Sequence, residues 1–327
     1  MIFVQTNDAE ANAVVTFRRE ADGRLGRVGE TSTGGRGNGL PHLPSQGSLA
    51  IAGDHLLVAN AGSGELSVLP IAGDTLTLTD RAATGGMPVS VAQHAGSVRV
   101  LNGGPEPGIA GFALAGGKLT PTSRRALEPG SDPAQIAFTP DGRRLVVTER
   151  GTNAITVLDV ALDRDPTTYP AAGATPYGFD FANGTLVVTE AFGGRVGAAA
   201  ASSYRLADGT LDTVSPSVGN ERSEVCWAVA SADGRTVWVT NFGDGTISRY
   251  AVGDDGSLEL AEAVAASTVL GAKGIRDAAR TADGGFLYAL DADARQVFGW
   301  RTSPDGRLEP VGAVDGLPAT AAGLAAL

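Results

Sequence analysis

Two glutamates stand where repeated segments of this sequence otherwise carry asparagine or aspartate. Glu149 and Glu190 each end a short apolar segment, and an arginine follows each of them, Arg150 directly and Arg195 five residues later. Two carboxylates in one pocket can raise each other's pKa and divide the roles of general acid and general base. An arginine can hold an anionic substrate through two parallel hydrogen bonds. Two interpretations stay open: catalytic glutamates with substrate-binding arginines, or a set of solvated ion pairs at a rim.

A second group of charged residues lies on other loops. Glu224 is a further candidate catalytic carboxylate, and Arg276 and Asp277 are candidate substrate-binding residues. His42 is the histidine placed for a site, because the other two fall in or beside predicted hairpin turns. A carboxylate or His42 could activate water, while arginines bind a substrate carboxylate or a developing oxyanion. These residue types predict acid–base chemistry on a small anionic molecule.

Three uncharged side chains complete the candidate binding residues: Gln46, Tyr177 and Trp227. The two aromatic residues fit either core packing or a stacking wall for a ligand. Cys226 is interpreted as a core thiol, because a nucleophilic cysteine needs a nearby imidazole to lower its pKa and no histidine is placed for that.

Metal and cofactor signals are weak. No cysteine and histidine set has the spacing of a zinc site, and the glycine-rich run at residues 34–39 lacks the strand-to-helix context of a phosphate loop. We therefore predict no cofactor and no metal. A calcium site stays open as an alternative only if the fold gathers five acidic residues: Glu149, Glu190, Asp244, Asp291 and Asp293.

One element recurs seven times and indicates the architecture that positions these residues. It is a short apolar strand that ends in a polar anchor residue, and consecutive anchors are between 41 and 53 residues apart. Spacings of that size suit one four-stranded propeller blade per repeat. The anchors are Asn7, Asn60, Asn102, Glu149, Glu190, Asn241 and Asp291.

The innermost strand of each blade precedes its anchor strand, as in 48–51, 89–93, 134–138, 177–181, 226–230 and 275–280. The first repeat lacks one. We expect the apolar segment 320–327 to supply it and so close the ring, which removes an exposed sheet edge. Asp-Gly and Gly-Gly pairs provide the positive-φ positions of the hairpins. The prediction is an all-β, seven-bladed propeller of antiparallel blades that occupies residues 1–327 as a single domain, with its functional surface at the mouth of the central channel.

Three segments resemble the lactonase-like propeller family, which includes 6-phosphogluconolactonase-type and carboxymuconate-cyclising enzymes. They are Phe-Thr-Pro-Asp-Gly-Arg-Arg-Leu-Val-Val-Thr-Glu at 138–149, the Cys-Trp to Val-Thr-Asn stretch at 226–241, and Ala-Thr-Pro-Tyr-Gly-Phe at 174–179. The resemblance implies the seven-bladed fold and lactone chemistry, although Pro-Asp-Gly-Arg and Val-Thr-Asn are blade-packing elements. It also implies histidine and arginine near the channel. This chain departs from that pattern, because it has only 3 histidines and His42 is the one placed for a site.

Composition excludes several partners. The net charge is −11 with scattered basic residues, so nucleic acid and anionic membranes are disfavoured. No apolar run approaches the roughly 20 residues needed to cross a bilayer. Met1 leads straight into an apolar strand without a charged leader, which predicts a soluble, cytoplasmic protein, or a secreted one if a signal peptide was removed. We also expect a monomer that acts on a small molecule.

Two functions from different classes follow. One is a metal-independent lactone hydrolase or lactone-forming isomerase that acts on a small acidic or sugar-derived molecule at the channel mouth. The alternative is a non-catalytic propeller that binds a peptide, a glycan or a partner protein, because seven-bladed rings host both. A closed polar cavity favours the first, and a broad surface with exposed aromatic residues favours the second.

Overall fold

The structure is a computed structural model, and it describes residues 1–40, 43, 46–161 and 164–327. In these residues the strands form seven antiparallel sheets. The innermost strands of neighbouring sheets contact each other all the way round, so the sheets are the blades of one ring. The predicted seven-bladed β-propeller is confirmed.

The strands are numbered in chain order. Blade 1 has β1 (Ile2–Gln5), β2 (Ala13–Arg19) and β3 (Leu25–Ser32); blade 2 has β4 (Leu49–Ala52), β5 (His55–Asn60), β6 (Glu65–Ala72), β7 (Thr75–Leu76) and β8 (Asp80–Ala83). Blade 3 has β9 (Met87–His94), β10 (Ser97–Gly103), β11 (Gly108–Ala115) and β12 (Lys118–Ala126); blade 4 has β13 (Pro133–Phe138), β14 (Arg144–Glu149), β15 (Ala154–Asp159) and β16 (Thr167–Pro170).

The second half of the ring is built the same way. Blade 5 has β17 (Pro176–Ala182), β18 (Thr185–Glu190), β19 (Ala200–Ala207) and β20 (Thr210–Gly219); blade 6 has β21 (Val225–Ala230), β22 (Thr236–Asn241), β23 (Thr246–Val252) and β24 (Leu258–Ser267). Blade 7 has β25 (Ile275–Arg280), β26 (Phe286–Asp291), β27 (Gln296–Thr302) and β28 (Leu308–Asp315), and β29 (Leu324–Ala326) returns to blade 1.

The C-terminal strand closes the ring as the sequence predicts. β29 pairs antiparallel with β1, with Ile2 opposite Ala326 and Val4 opposite Leu324. It is shorter than the expected 320–327 because a turn precedes it, in which Ala321 donates its backbone N–H to the carbonyl of Pro318. The blade that begins the chain therefore takes its innermost strand from the end of the chain.

Burial follows position in the blade. The second strands are apolar and almost fully buried because they lie between two flanking blades. The side chains of outer strands such as β3 and β28 are instead half-buried or exposed. Phe17 of blade 1, for example, packs with Tyr288 and Leu290 of blade 7. Apolar contact between blades thus holds each blade face against the next.

The Pro-Asp-Gly-Arg element is a hairpin turn in the structure. Asp141 accepts hydrogen bonds from the Thr139 hydroxyl at 2.6 Å and the Arg143 N–H at 3.1 Å, and Gly142 has φ of 69°. A positive φ there is readily adopted by glycine. Asp233 and Asp283 cap their turns in the same way. The element therefore shapes the face opposite the anchors.

The helical content of the described residues is one short 3₁₀ turn, Phe192–Gly194. No helix in the described ranges is long and apolar enough to cross a membrane.

Candidate functional site

A cavity of about 480 Å³ opens where the loops of blades 4 to 7 meet at the channel mouth. Its walls come from residues that precede or begin the innermost strands and from residues that follow the anchors. The described lining residues are Asp132, Arg150, Thr175, Tyr177, Ala191, Gly193, Gly194, Glu224, Val225, Cys226, Phe242 and Arg276. We call this space the mouth cavity.

Arg150 forms one wall of the mouth cavity. Its guanidinium donates to the Tyr177 hydroxyl at 3.1 Å and to the Asp132 carboxylate at 2.6 Å, and it lies 4.9 Å from the centre of the Tyr177 ring. Burial raises the pKa of Tyr177 above its usual value, so the phenol stays neutral. Arg150 thus presents a fixed positive charge beside an uncharged aromatic wall.

Glu224 brings a carboxylate to the mouth cavity from the start of blade 6. The Lys273 ammonium donates to both of its oxygens, at 2.6 and 2.9 Å, and the glutamate side chain keeps 28% of its surface exposed. A carboxylate that is held by a cation and still reaches solvent can exchange a proton with a bound molecule. Lys273 fixes the orientation of that carboxylate.

Arg276 provides the second guanidinium. It donates to the Asp293 carboxylate at 2.9 Å, and it lies 4.5 Å from the centre of the Phe242 ring, which the Lys273 ammonium also approaches at 5.4 Å. Phe242 is therefore covered by two cations rather than presented as a bare apolar surface. The guanidiniums of Arg150 and Arg276 and the carboxylates of Asp132 and Glu224 thus all line the mouth cavity.

Cys226 and Trp227 belong to the packed base of the site. Trp227 is fully buried, donates its indole N–H to the backbone carbonyl of Arg276, and lies 4.9 Å from the Tyr177 ring. Burial, with the Glu224 charge nearby, raises the pKa of Cys226 to about 12. The thiol is protonated at neutral pH, which suits the core interpretation of Cys226 and not a nucleophile.

Glu149 is buried in the wall of blade 4. Its two oxygens accept the hydroxyls of Thr156 at 2.6 Å and Thr152 at 2.7 Å. These partners come from the third strand of the same blade and from the loop before it. The carboxylate thus takes up hydroxyl donors of its own blade.

Glu190 is held in the same manner in blade 5. It accepts the Gly173 N–H at 2.8 Å and the hydroxyls of Ser202 and Ser217. Burial raises the pKa of Glu190, and the hydrogen bonds oppose that effect. Neither glutamate is among the described residues that line the mouth cavity. The described lining residues therefore do not support the expectation that both carboxylates share that pocket. Each glutamate instead accepts hydrogen bonds from groups in or beside its own blade.

The other predicted binding residues have separate places. Arg195 is exposed beside the Phe192 ring, at 5.6 Å, and is not among the described lining residues of the mouth cavity. Gln46 reaches across the channel and exchanges two hydrogen bonds with the backbone of Ala228, at 2.8 and 3.3 Å. Asp277 is buried and accepts backbone N–H groups. His42 lies outside the described residues.

Gln46 and Asp277 line a different space, a cavity of about 300 Å³ farther along the channel, here called the lower cavity. The acidic residues considered for calcium are dispersed: no group of three histidine, cysteine or acidic residues in the described ranges is placed to hold a metal ion.

Sequence reasoning missed Phe242, Lys273, Asp132 and Asp293 as partners in the site. Each makes its contact with a charged residue of the same or the neighbouring blade. The available signal was the position of Phe242 directly after the anchor Asn241, on a loop that faces the channel.

No protein-family model and no curated protein matches the chain. Solved structures share its fold. The chain is similar to the periplasmic gluconolactonase of Pseudomonas aeruginosa, with 18% identity, 99% of each chain covered and a TM-score of 0.77. It is also similar to a candidate 6-phosphogluconolactonase of Bacteroides fragilis, with 17% identity, 99% of this chain and 96% of that chain covered, and a TM-score of 0.75. A chain of the nidogen/laminin complex matches with 17% identity, 83% and 97% coverage, and a TM-score of 0.56.

Proposed function

We propose that the chain is a lactonase-like enzyme that hydrolyses, or in reverse forms, a small sugar-derived or acidic lactone in the mouth cavity. The observation that carries the proposal is the convergence of Glu224 with Arg150 and Arg276 on one space of about 480 Å³. Cavities of this size take small molecules, and a few charged groups in such a space fix the orientation of a ligand.

Glu224 is the general base of the proposed reaction. It accepts a proton from water as the water oxygen bonds to the lactone carbonyl carbon. The negative charge that develops on the carbonyl oxygen is stabilised by a guanidinium, either Arg150 or Arg276. The ring C–O bond then breaks, and the departing oxygen takes the proton back from Glu224, which leaves a hydroxy acid. Lys273 positions the Glu224 carboxylate throughout.

The shape of the site favours this activity over docking of a protein at the cavity itself. Its aromatic side chains, Tyr177 and Phe242, are covered by Arg150, Arg276 and Lys273. A protein interface would instead be expected to expose such rings as anchors. Two solved structures that share this fold are named as a gluconolactonase and a candidate 6-phosphogluconolactonase, which supports a lactone of sugar origin as the proposed substrate.

The test is a screen of sugar lactones and acidic lactones by pH-stat, followed by kinetics on each lactone that is hydrolysed. Glu224→Gln should lower kcat roughly a hundredfold or more, because an amide does not accept the proton from water. The matched control is Glu221→Gln, an exposed change three residues earlier, which should leave kcat unchanged. Arg150→Gln and Arg276→Gln should each raise KM, and the variant that removes the oxyanion-stabilising guanidinium should also lower kcat. Equal kcat values for the Glu224 and Glu221 variants would show that Glu224 is not the general base.

A second candidate function is a binding propeller, and one observation favours it. Val196 and Leu270 are 88% and 70% exposed on loops that follow the second strand of blade 5 and the last strand of blade 6. Exposed apolar side chains beside a cavity suit contact with a partner. This function predicts no turnover of any lactone and a partner whose binding is lost in a Val196→Ser, Leu270→Ser double variant.

A further inference from the structure

Each guanidinium of the mouth cavity is already joined to a carboxylate. Arg150 donates to Asp132 at 2.6 Å, and Arg276 donates to Asp293 at 2.9 Å. Opposite charges at hydrogen-bond distance cancel most of each other's field at the larger distance of a bound molecule. A ligand in the mouth cavity therefore meets two neutralised pairs rather than two isolated positive charges.

The groups around these two pairs add no positive charge. The Lys273 ammonium is held by Glu224, at 2.6 and 2.9 Å. Two buried anchors of the surrounding blades, Glu149 and Asp291, accept hydrogen bonds from hydroxyl and backbone N–H groups rather than from a cation. The described residues at and behind the mouth cavity thus hold more carboxyl groups than cations.

The outer parts of the loops on the mouth side of blades 4 to 7 are balanced in charge. Arg222 faces Asp244 at 3.5 Å. The other charged side chains of these loops are exposed, where solvent and salt screen them. They are two arginines and two glutamates: Arg195, Arg295, Glu128 and Glu221. The loops therefore offer no positive surface that would attract an anionic substrate.

Arg150 keeps hydrogen-bond donors for an uncharged ligand. Of the five N–H groups of its guanidinium, three donate within the protein: to the Asp132 carboxylate, to the Asp132 backbone carbonyl at 3.3 Å and to the Tyr177 hydroxyl at 3.1 Å. The other two can donate to a carbonyl oxygen, as backbone N–H groups do in an oxyanion hole. Recognition of that oxygen needs placed N–H groups and no net positive charge.

We propose that the mouth cavity selects lactones that carry no charged group, and that Asp132 and Asp293 exclude carboxylated and phosphorylated lactones. This inference rests on the proposed lactonase function, which admits both sugar-derived and acidic lactones. An anionic substituent beside either guanidinium would lie next to the paired carboxylate and would lose hydration without gaining an unpaired cation. A hydroxyl or carbonyl oxygen meets no such repulsion. Asp132 and Asp293 thus determine specificity by repelling the wrong substrate.

The experiment compares two lactones of the same ring and nearly the same size, D-glucono-1,4-lactone and D-glucaro-1,4-lactone. The second carries a carboxylate in place of the terminal hydroxymethyl group, so the pair separates charge from size. For the full chain at neutral pH, pH-stat kinetics give kcat/KM and calorimetric titration gives Kd. We expect at least a fivefold preference for the uncharged lactone at low ionic strength. The preference should shrink in about 1 M sodium chloride, because salt screens the repulsion.

Asp132→Asn and Asp293→Asn remove the proposed repulsion one carboxylate at a time. Asp132 has a φ of 45°, a conformation that asparagine also adopts, so the loop should keep its shape. Each variant should reduce the preference for the uncharged lactone at least threefold. The matched control is Asp74→Asn, which also removes the carboxylate partner of an arginine, Arg18, but lies after β6 on the face opposite the anchors. It should leave the preference unchanged.

The inference is overturned if the charged lactone is bound or hydrolysed as well as the uncharged one at low ionic strength, or if the chain binds neither. It is also overturned if the preference does not respond to salt, or if both variants at the mouth cavity retain it in full. Selective binding of the uncharged lactone without turnover would contradict the proposed hydrolysis and support the selectivity, because affinity reports the charge preference without a reaction.

Discussion

The carboxylate of Asp277 accepts the backbone N–H of Leu324 at 2.8 Å, which ties the innermost strand of blade 7 to the strand that closes the ring. Its other oxygen accepts the N–H of Ala278 at 2.8 Å. Asp180 makes the same connection from blade 5 to blade 6, through the N–H of Ala230. Asp277 therefore joins the two ends of the ring, whereas the sequence predicted a substrate-binding residue.

This junction should make stability depend on pH. Burial raises the pKa of Asp277 from 3.8 to about 7. The folded state then holds a proton that the unfolded state has released, so this contribution to stability is present below about pH 4 and is lost as pH rises to 7. At 1.36 kcal/mol per pKa unit, the loss is up to about 4 kcal/mol.

The measurement is urea unfolding of the original chain and of Asp277→Asn between pH 4.5 and 7.5. The difference in unfolding free energy should shift steadily against the original chain as pH rises, since the amide does not titrate. A difference that stays constant across this range would contradict the prediction.

Deleting residues 320–327 should lower the free energy of unfolding by several kcal/mol. The deletion removes the β29 ladder to β1 and the buried side chains of Ala321 and Leu324. The edge of β1 would then be free to pair with other chains. Thermal unfolding and light scattering check this, and an unchanged melting temperature without association would speak against the closed ring.

Cys226→Ala should cost on the order of 1 kcal/mol of stability and leave turnover of any lactone intact. The thiol is buried and its pKa is raised to about 12, so it contributes packing rather than a nucleophile. Chemical denaturation gives the first quantity and kcat the second. Loss of kcat in a normally folded variant would instead indicate that Cys226 is a nucleophile.

Glu190→Leu should lower stability by about 1 to 3 kcal/mol, because Gly173, Ser202 and Ser217 would lose their acceptor. Glu190→Gln should keep kcat within about twofold. Should Glu190→Gln instead reduce kcat a hundredfold with the fold preserved, the pair of catalytic glutamates first suggested by the sequence would be the better assignment.

The blades could be predicted because their signals are local. Each anchor ends an apolar strand. The conformation of a turn such as that at Asp141 and Gly142 can be predicted from two neighbouring residues. The ring closure followed from counting innermost strands, since one was lacking and β29 had no other partner.

The site was only partly predictable. Arg150, Tyr177, Glu224 and Arg276 do line one cavity, because loops at one end of the blades converge whatever their sequence. The anchors were harder to interpret. Whether a glutamate turns into the cavity or into its blade depends on a hydroxyl such as Thr156, which becomes a neighbour only through the strand register.

The contact of Lys273 with Glu224 and Phe242 could not be predicted either. It joins loops 49 and 31 residues apart whose separation is set by the angle between blades, a property of the whole ring. Sequence spacing alone carries no information on that angle.

The bridge from Gln46 to Ala228 has a consequence for molecular traffic. It joins opposite sides of the ring, between the mouth cavity and the lower cavity, which have no described lining residue in common. The Gln46 side chain therefore crosses the channel between the two cavities and narrows the passage from one to the other. A molecule that passes from the mouth cavity to the lower cavity would have to displace this side chain and break both of its hydrogen bonds.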